Sequence, residues 1–242
     1  MDLKSKIILI SGPTASGKSK LALKIAKKIN GEIINADSMQ VYKELKILTA
    51  RPSEIDLKKI EHHLYGFRTV KKDFSSGEWL KLAKKNIKKI RDKNKIPVLV
   101  GGTGLYFKAL TDGLVKIPNI PISFRNKIRS MQNSLGQKKF YSKLLKYDSL
   151  VKNRIDPTDL QRSIRAYEVI SFTKKSIFEW YKKTKPSFRN DQFIKIYIDY
   201  PRDKLISKIS KRVDQMMKNG AIQEVKDFLK LNLKSDSNIF KV

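Results

Sequence analysis

Two short stretches of this 242-residue chain carry residue types that could do chemistry. The first, Gly12-Pro13-Thr14-Ala15-Ser16-Gly17-Lys18-Ser19, has the spacing G-x-x-x-x-G-K-[ST]. Its glycines let the backbone curl so that successive N–H groups point at one anion, and a following helix adds its positive N-terminal end. Lys18 would bridge phosphate oxygens, and the Ser19 hydroxyl would ligate Mg²⁺. Such a loop binds a diphosphate or triphosphate without saying which molecule carries it. The second stretch is Asn35-Ala36-Asp37-Ser38. A carboxylate at Asp37 could take a proton from an acceptor nucleophile or hold Mg²⁺ through water; it could equally cap a turn. The chain has no Cys, which excludes disulfide frameworks, Cys-based zinc sites and thiol nucleophiles.

These residues need elements to position them, and the local pattern supplies them. Lys6 to Ser11 (KIILIS) is a short apolar run before a Gly/Pro turn, and Lys20 to Ile29 has helical periodicity. The phosphate loop thus lies between a strand and a helix, the context its chemistry requires. Glu32 to Ala36 reads as a second strand, which puts Asp37 just past a carboxyl end, where open parallel sheets bind ligands. His63 to Phe67 reads as a third strand. Gly77 to Lys93 is a helix with Trp79, Leu80, Ala83, Ile87 and Ile90 on one stripe. Ile96 to Val100 is a buried-type strand that ends in Gly101-Gly102-Thr103-Gly104, without the acidic residue of an ATPase metal strand. From Pro118 to Lys185 the periodicity is helical, over about Ser123–Ser134, Gln137–Tyr147 and Pro157–Phe172. Phe193 to Asp199 returns to a strand, followed by helices Arg202–Lys218 and Ile222–Leu231 around Gly220.

Alternating strands and helices predict an α/β fold, a P-loop nucleoside-triphosphate-hydrolase-like parallel sheet with an all-helical insertion. The expected core is 1–115 with 191–242, and the insertion is 116–190. Hydrophobic residues make up 40% of the chain, enough for a real core. Lys and Arg number 53 against 23 Asp and Glu, a formal net charge of +30 that points to a polyanion. Residues 116–190 hold 18 basic and 5 acidic residues. That is about 0.17 positive charges per residue against about 0.12 overall, so the insertion is the more basic part. No run approaches the ~20 apolar residues of a membrane span, and the opening MDLKSKIILISG reads as a strand rather than a leader. The end, SDSNIFKV, is an apolar run where a mature chain is not expected to stop.

Taken together the motifs resemble those of the tRNA dimethylallyltransferases, or tRNA isopentenyltransferases. The matching stretches are GPTASGKS (12–19), NADSMQVYKELKILTARP (35–52), HHLYGF (62–67), PVLVGGTGLYFKAL (97–110), DPTDLQRSIRAYEV (156–169) and the helix around Lys211-Arg212-Val213. The resemblance implies transfer of a dimethylallyl group from dimethylallyl diphosphate to the exocyclic amine of the adenosine just 3′ of the anticodon. It implies that Gly12 to Ser19 and Arg212 hold the diphosphate, with Mg²⁺ on Ser19. Asp37 would be the base, and Thr103 would orient the amine or the diphosphate. Asp37, Ser38, Met39, Gln40, Thr103, Arg125, Gln161, Arg162, Ser163, Ile164 and Arg165 match positions that contact tRNA. Family members usually continue beyond the point matching Val242, so a C-terminal truncation is expected of this chain. A cytoplasmic monomer gripping the anticodon stem-loop is expected, with no membrane association.

Other residues have plainer readings. His62, His63, Trp79 and Trp180 are expected to pack or cap, and the Lys pairs at 138–139, 174–175 and 182–183 to be solvated. Two other functions fit the same motifs: a P-loop kinase acting on a small molecule or nucleoside, with ATP as donor, and an RNA-binding module without turnover.

Overall fold

The computed structural model describes residues 3–233, so both the Met1–Asp2 start and the terminal SDSNIFKV lie outside the described residues. The chain forms two compact units: residues 1–111 with 187–242, and residues 112–186.

The first unit is a five-stranded, all-parallel sheet. Its strands are β1 (Ile7–Ser11), β2 (Gly31–Asn35), β3 (His62–His63), β4 (Ile96–Gly101) and β5 (Phe193–Tyr197), in the order β3-β2-β4-β1-β5. The two-residue side-chain period sorts β1 between the faces of the sheet. Ile7 and Leu9 join Trp79, Ile87, Ile90 and Leu110, from α3 (Ser76–Asp92) and α4 (Gly104–Thr111). Ile8 and Ile10 join Ala22 and Ala26 of α1 (Lys18–Lys28) on the other face. A parallel sheet covered on both faces needs near-continuous apolar strands, and IILIS and IPVLVG provide them.

Register brings the chemistry to one edge. Ser11 pairs with Gly101 and with Tyr197, and Asn35 with Val100, so β1, β2, β4 and β5 end nearly level. The phosphate loop, Asp37 and Gly102 all follow from those ends. Gly101 has a packing reason: a Cβ there would run into the Ala36 carbonyl.

β3 covers two residues, not the five read from HLYGF. Leu64 (φ 64°) and Gly66 (φ 53°) turn into the left-handed region and end the strand. Two helices escape the periodicity, α2 (Glu54–Lys59), capped by Ser53, and α4. Helices α8 (Arg202–Lys218) and α9 (Ala221–Leu229) complete this unit, and Gly220 (φ 93°) separates them.

The second unit is helical. α5 (Ile122–Tyr147) spans both expected helices and bends at Gly136, where φ 69° and ψ 164° are not helical. α6 (Leu160–Thr173) starts three residues later than read, because the Asp159 carboxylate accepts from Arg162 N–H and caps it. A short α7 (Ile177–Tyr181) follows. Phe140, Leu144, Val151, Ala166 and Val169 form its core.

Candidate active site at the carboxyl edge of the sheet

The phosphate loop joins β1 to α1. Gly17 caps α1 in the left-handed region (φ 88°), which glycine adopts without strain, and no side chain caps the helix. The first N–H groups of α1 therefore have no intrahelical acceptor. Lys18 folds back over the loop and donates from Nζ to the Pro13 carbonyl at 3.1 Å. Burial lowers the Lys18 pKa, and Arg212 adds to this; the Asp37 carboxylate opposes both. Burial likewise lowers Arg212, again against Asp37. Both cations are half-buried, and the Asp37 carboxylate is the charge that favours their protonated forms. The Ser16 hydroxyl is buried and has no hydrogen-bond partner among the described residues.

Asp37 is built from the backbone outward. Buried Asn35 accepts from Asp37 N–H at 2.9 Å and donates to the carbonyls of Asp37 (2.9 Å) and Leu64 (3.0 Å). Trp79 Nε1 donates to the Asn35 carbonyl at 2.8 Å, and its ring stacks on Tyr106 with centroids 4.2 Å apart. Asp37 Oδ1 accepts from Met39 N–H at 2.9 Å and Gln40 N–H at 3.4 Å. Oδ2 accepts no hydrogen bond among the described residues, and Gly102 leaves room beside it: a Cβ there would stand 3.7 Å away. A carboxylate with one oxygen fixed and the other free suits proton abstraction.

A cleft of about 630 Å³ gathers these groups. Thr14, Gly17, Lys18, Ser19, Asp37 and Arg212 line it, with Met39, Gln40, Tyr65 and Lys208. Burial raises the Tyr65 phenol, helped by Asp37, so that hydroxyl stays protonated. The exposed Ser19 hydroxyl on this wall is an oxygen donor of the kind a hard cation takes.

Several expected site residues also make contacts within the protein. Thr103 Oγ1 accepts from Ser38 N–H at 2.9 Å and lies 3.3 Å from Ser38 Oγ, so it braces the Asp37 turn. The Gln40 amide donates to the carbonyls of Thr49 (2.8 Å) and Ala50 (3.1 Å), securing another segment of the cleft wall. In the helical unit, Gln161 and Arg162 are exposed on α6, and Arg165 pairs with buried Glu168 at 3.0 Å. Arg125 Nε stands 3.9 Å from the same Glu168. Ser163 and Ile164 face inward: Ser163 is 0% exposed and its hydroxyl accepts from Gln137 at 3.2 Å. Both side chains pack inside the helical unit. His63 pairs with Glu32 at 2.7 Å, and His62 meets the Ile60 carbonyl at 2.7 Å.

One further residue gave no signal in the sequence. Glu224, in the first turn of α9, accepts from the N–H groups of Lys46, Ile47 and Leu48 at 2.8–3.0 Å. It clamps the segment whose next residues, Thr49 and Ala50, line the cleft.

The sequence model of the IPP transferase family matches residues 40–242. The tRNA dimethylallyltransferase of Pelagibacter ubique is 61% identical over 242 residues, all of this chain and 77% of that protein. That of Agrobacterium fabrum is 41% identical over the same length, covering 81% of that protein. Among solved structures, a eukaryotic dimethylallyltransferase acting on tRNA superimposes with a TM-score of 0.80 at 29% identity; the match covers 93% of this chain and 56% of that one. The tRNA isopentenylpyrophosphate transferase of Bacillus halodurans matches with a TM-score of 0.65 at 31% identity, over 98% of this chain and 74% of that one. With a phosphate loop and an acidic turn at one sheet edge, and relatives aligned along its whole length, the chain belongs to the IPP transferase family, among the tRNA dimethylallyltransferases.

Proposed function

We infer that the chain transfers a dimethylallyl group from dimethylallyl diphosphate to the exocyclic amine of the adenosine 3′-adjacent to the anticodon in tRNA. The observation that carries this reading is one cleft holding an anchored carboxylate, Asp37, with two half-buried cations, Lys18 and Arg212. In the reaction the allylic C–O bond breaks and the N–C bond forms. The amine proton passes to the free Asp37 oxygen and the diphosphate leaves. Negative charge grows on the departing oxygens, which Lys18, Arg212 and the N–H groups of the loop would stabilise. Mg²⁺ bound with the diphosphate would sit on the Ser19 hydroxyl and neutralise part of that charge. An adenosine amine is a poor nucleophile while its lone pair is delocalised, so a base in direct reach matters. The adenine must leave its stack to enter the cleft.

On this reading the exposed cations of the helical unit, Arg162 foremost, hold RNA phosphates, and Asp37, Met39 and Gln40 meet the flipped nucleoside. The kinase reading is not favoured by the relatives. Among the described residues no helix is long and apolar enough to cross a membrane; a cytoplasmic monomer is the setting that suits a tRNA substrate. The test is incubation with dimethylallyl diphosphate, Mg²⁺ and unmodified tRNA, followed by mass analysis of the nucleosides. One adenosine carrying a dimethylallyl group is expected. Phosphate transfer from ATP with no modified nucleoside would overturn the reading.

A further inference from the structure

Beside the active cleft, in the same α/β unit, lies a second concavity of about 720 Å³. The two share wall residues Ser19, Lys20, Ala50, Tyr65 and Val100, so the second opens where the first ends. Lys20, Lys24 and Lys27 line one side. They recur at intervals of four and three along α1 and so project from one helix face. Arg51 and Lys59 are also in the lining.

The groove holds one carboxylate, Asp56, and that is already engaged: it accepts from Lys59 at 3.0 Å and from the Ser53 hydroxyl at 2.9 Å. Lys20, Lys24 and Lys27 are exposed and form no ion pair within 4.0 Å among the described residues. Most exposed lysines cover convex surface, where like charges spread apart. Here they converge on a concave wall with an apolar floor of Leu23, Ile33 and Ile60. That combination costs free energy through self-repulsion unless a polyanion answers it.

The geometry points to this groove as a track for the RNA backbone, which carries the strand away from the nucleoside held at Asp37. Lys20 to Lys27 spans roughly 10 Å along the helix, a row that suits successive phosphates better than one small anion. The inference rests on the function proposed above. It adds to the helical unit a second RNA-binding surface, on the unit that does the chemistry.

The test compares two double variants of the full chain. Lys24→Ala/Lys27→Ala removes two charges from the groove; alanine is a strong helix former, so α1 is kept. Lys85→Ala/Lys88→Ala removes two exposed charges from α3, outside the groove, and controls for net charge. Binding of unmodified tRNA is measured from 0.05 to 0.3 M salt without donor, and KM for each substrate is measured with donor. The groove variant is expected to bind tRNA about 10- to 30-fold more weakly at 0.1 M salt, with a salt slope shallower by roughly 1.5. The α3 variant should stay within about threefold of the parent.

Equal losses in both variants, or a groove variant that matches the parent, would overturn the track while wild-type prenyl transfer left the proposed function standing. A rise in the KM for dimethylallyl diphosphate alone would make the groove a small-anion site and also overturn it. A wild-type chain that neither binds nor modifies tRNA would remove both.

Discussion

In the α/β unit, Lys18 lies folded over its own loop, and Asp37 is gripped by the Asn35 side chain on one side and the Met39 N–H on the other. In the helical unit, Arg162 stands 75% exposed on α6, tied to the Asp159 that caps its helix. The first arrangement fixes a few charges in a cleft, where low dielectric makes each worth more. The second spreads many charges over solvent-facing surface, where each is worth little and position matters less. A backbone-built site suits chemistry, and a side-chain-built surface suits holding a long polyanion. The two units should therefore answer mutation differently.

The largest expected effect lies in the first unit. Asp37→Asn keeps the shape and the bonds from Met39 and Gln40 but removes the proton acceptor. It should lower kcat about 10²- to 10⁴-fold and leave donor binding nearly intact. Steady-state kinetics with tRNA and donor varied separately will check this; a kcat within threefold of wild type, with chemistry rate-limiting, would remove Asp37 from the base role. Next, Lys18→Ala should cost about 10²- to 10³-fold in turnover through lost stabilisation of the leaving group. Its thermal midpoint should stay close to wild type, because among the described residues Lys18 bonds only to its own loop.

A third prediction concerns stability. Glu32 is fully buried at the start of β2. Burial alone would raise its pKa, but hydrogen bonds from Lys95, His63 and Lys93 overcome this and hold it at about 2, below its ordinary 4.5. The folded state thus favours the ionised form. Its stabilisation is complete above about pH 4.5 and is lost as pH falls toward 2. At neutral pH it amounts to roughly 3 kcal/mol. Denaturant titrations of Glu32→Gln should show about that loss at pH 7 and a flatter acid limb. An acid limb identical to wild type would mean that other carboxylates carry the transition.

The smallest effects divide the helical stretch 161–165. Arg162→Ala should weaken tRNA binding about fivefold, with its share of the salt slope, and leave stability unchanged. Ser163→Ala should do the reverse: it loses the bond from Gln137 at a cost of about 1 kcal/mol in stability, with tRNA affinity held within twofold. If Ser163→Ala matched Arg162→Ala in tRNA affinity, the inward orientation of Ser163 would be wrong.

Much of the fold was legible because its signals are local. The apolar runs IILIS and IPVLV, the Gly-Lys-Ser spacing and the Trp79–Ile90 stripe each lie within one element. Asp37 was legible as a position after a strand, though its choice among base, metal shell and cap was not. The contacts that hold its turn come from Asn35, Leu64 and Trp79, which meet only in the folded sheet. Helix α2 had a readable start in Ser53 and Asp56, but its six residues bury none of their own and leave no apolar stripe. Resemblance marked 161–165 as one contact stretch, yet a helix turns about 100° per residue, and two of the five positions point into the core. Glu224 could not be found at all, because its partners lie 176 to 178 residues away.

That clamp makes α9 a party to whatever happens in the cleft. Three amides of one segment converge on a single carboxylate of a distant helix, so the segment and the helix share part of their opening free energy. A ligand that orders residues 48–50 is expected to slow amide hydrogen exchange in α9 through the Glu224 clamp. By reciprocity, fraying of α9 must weaken that ligand by the same factor. The exchange rates of α9 therefore serve as a remote gauge of occupancy at the other end of the clamp.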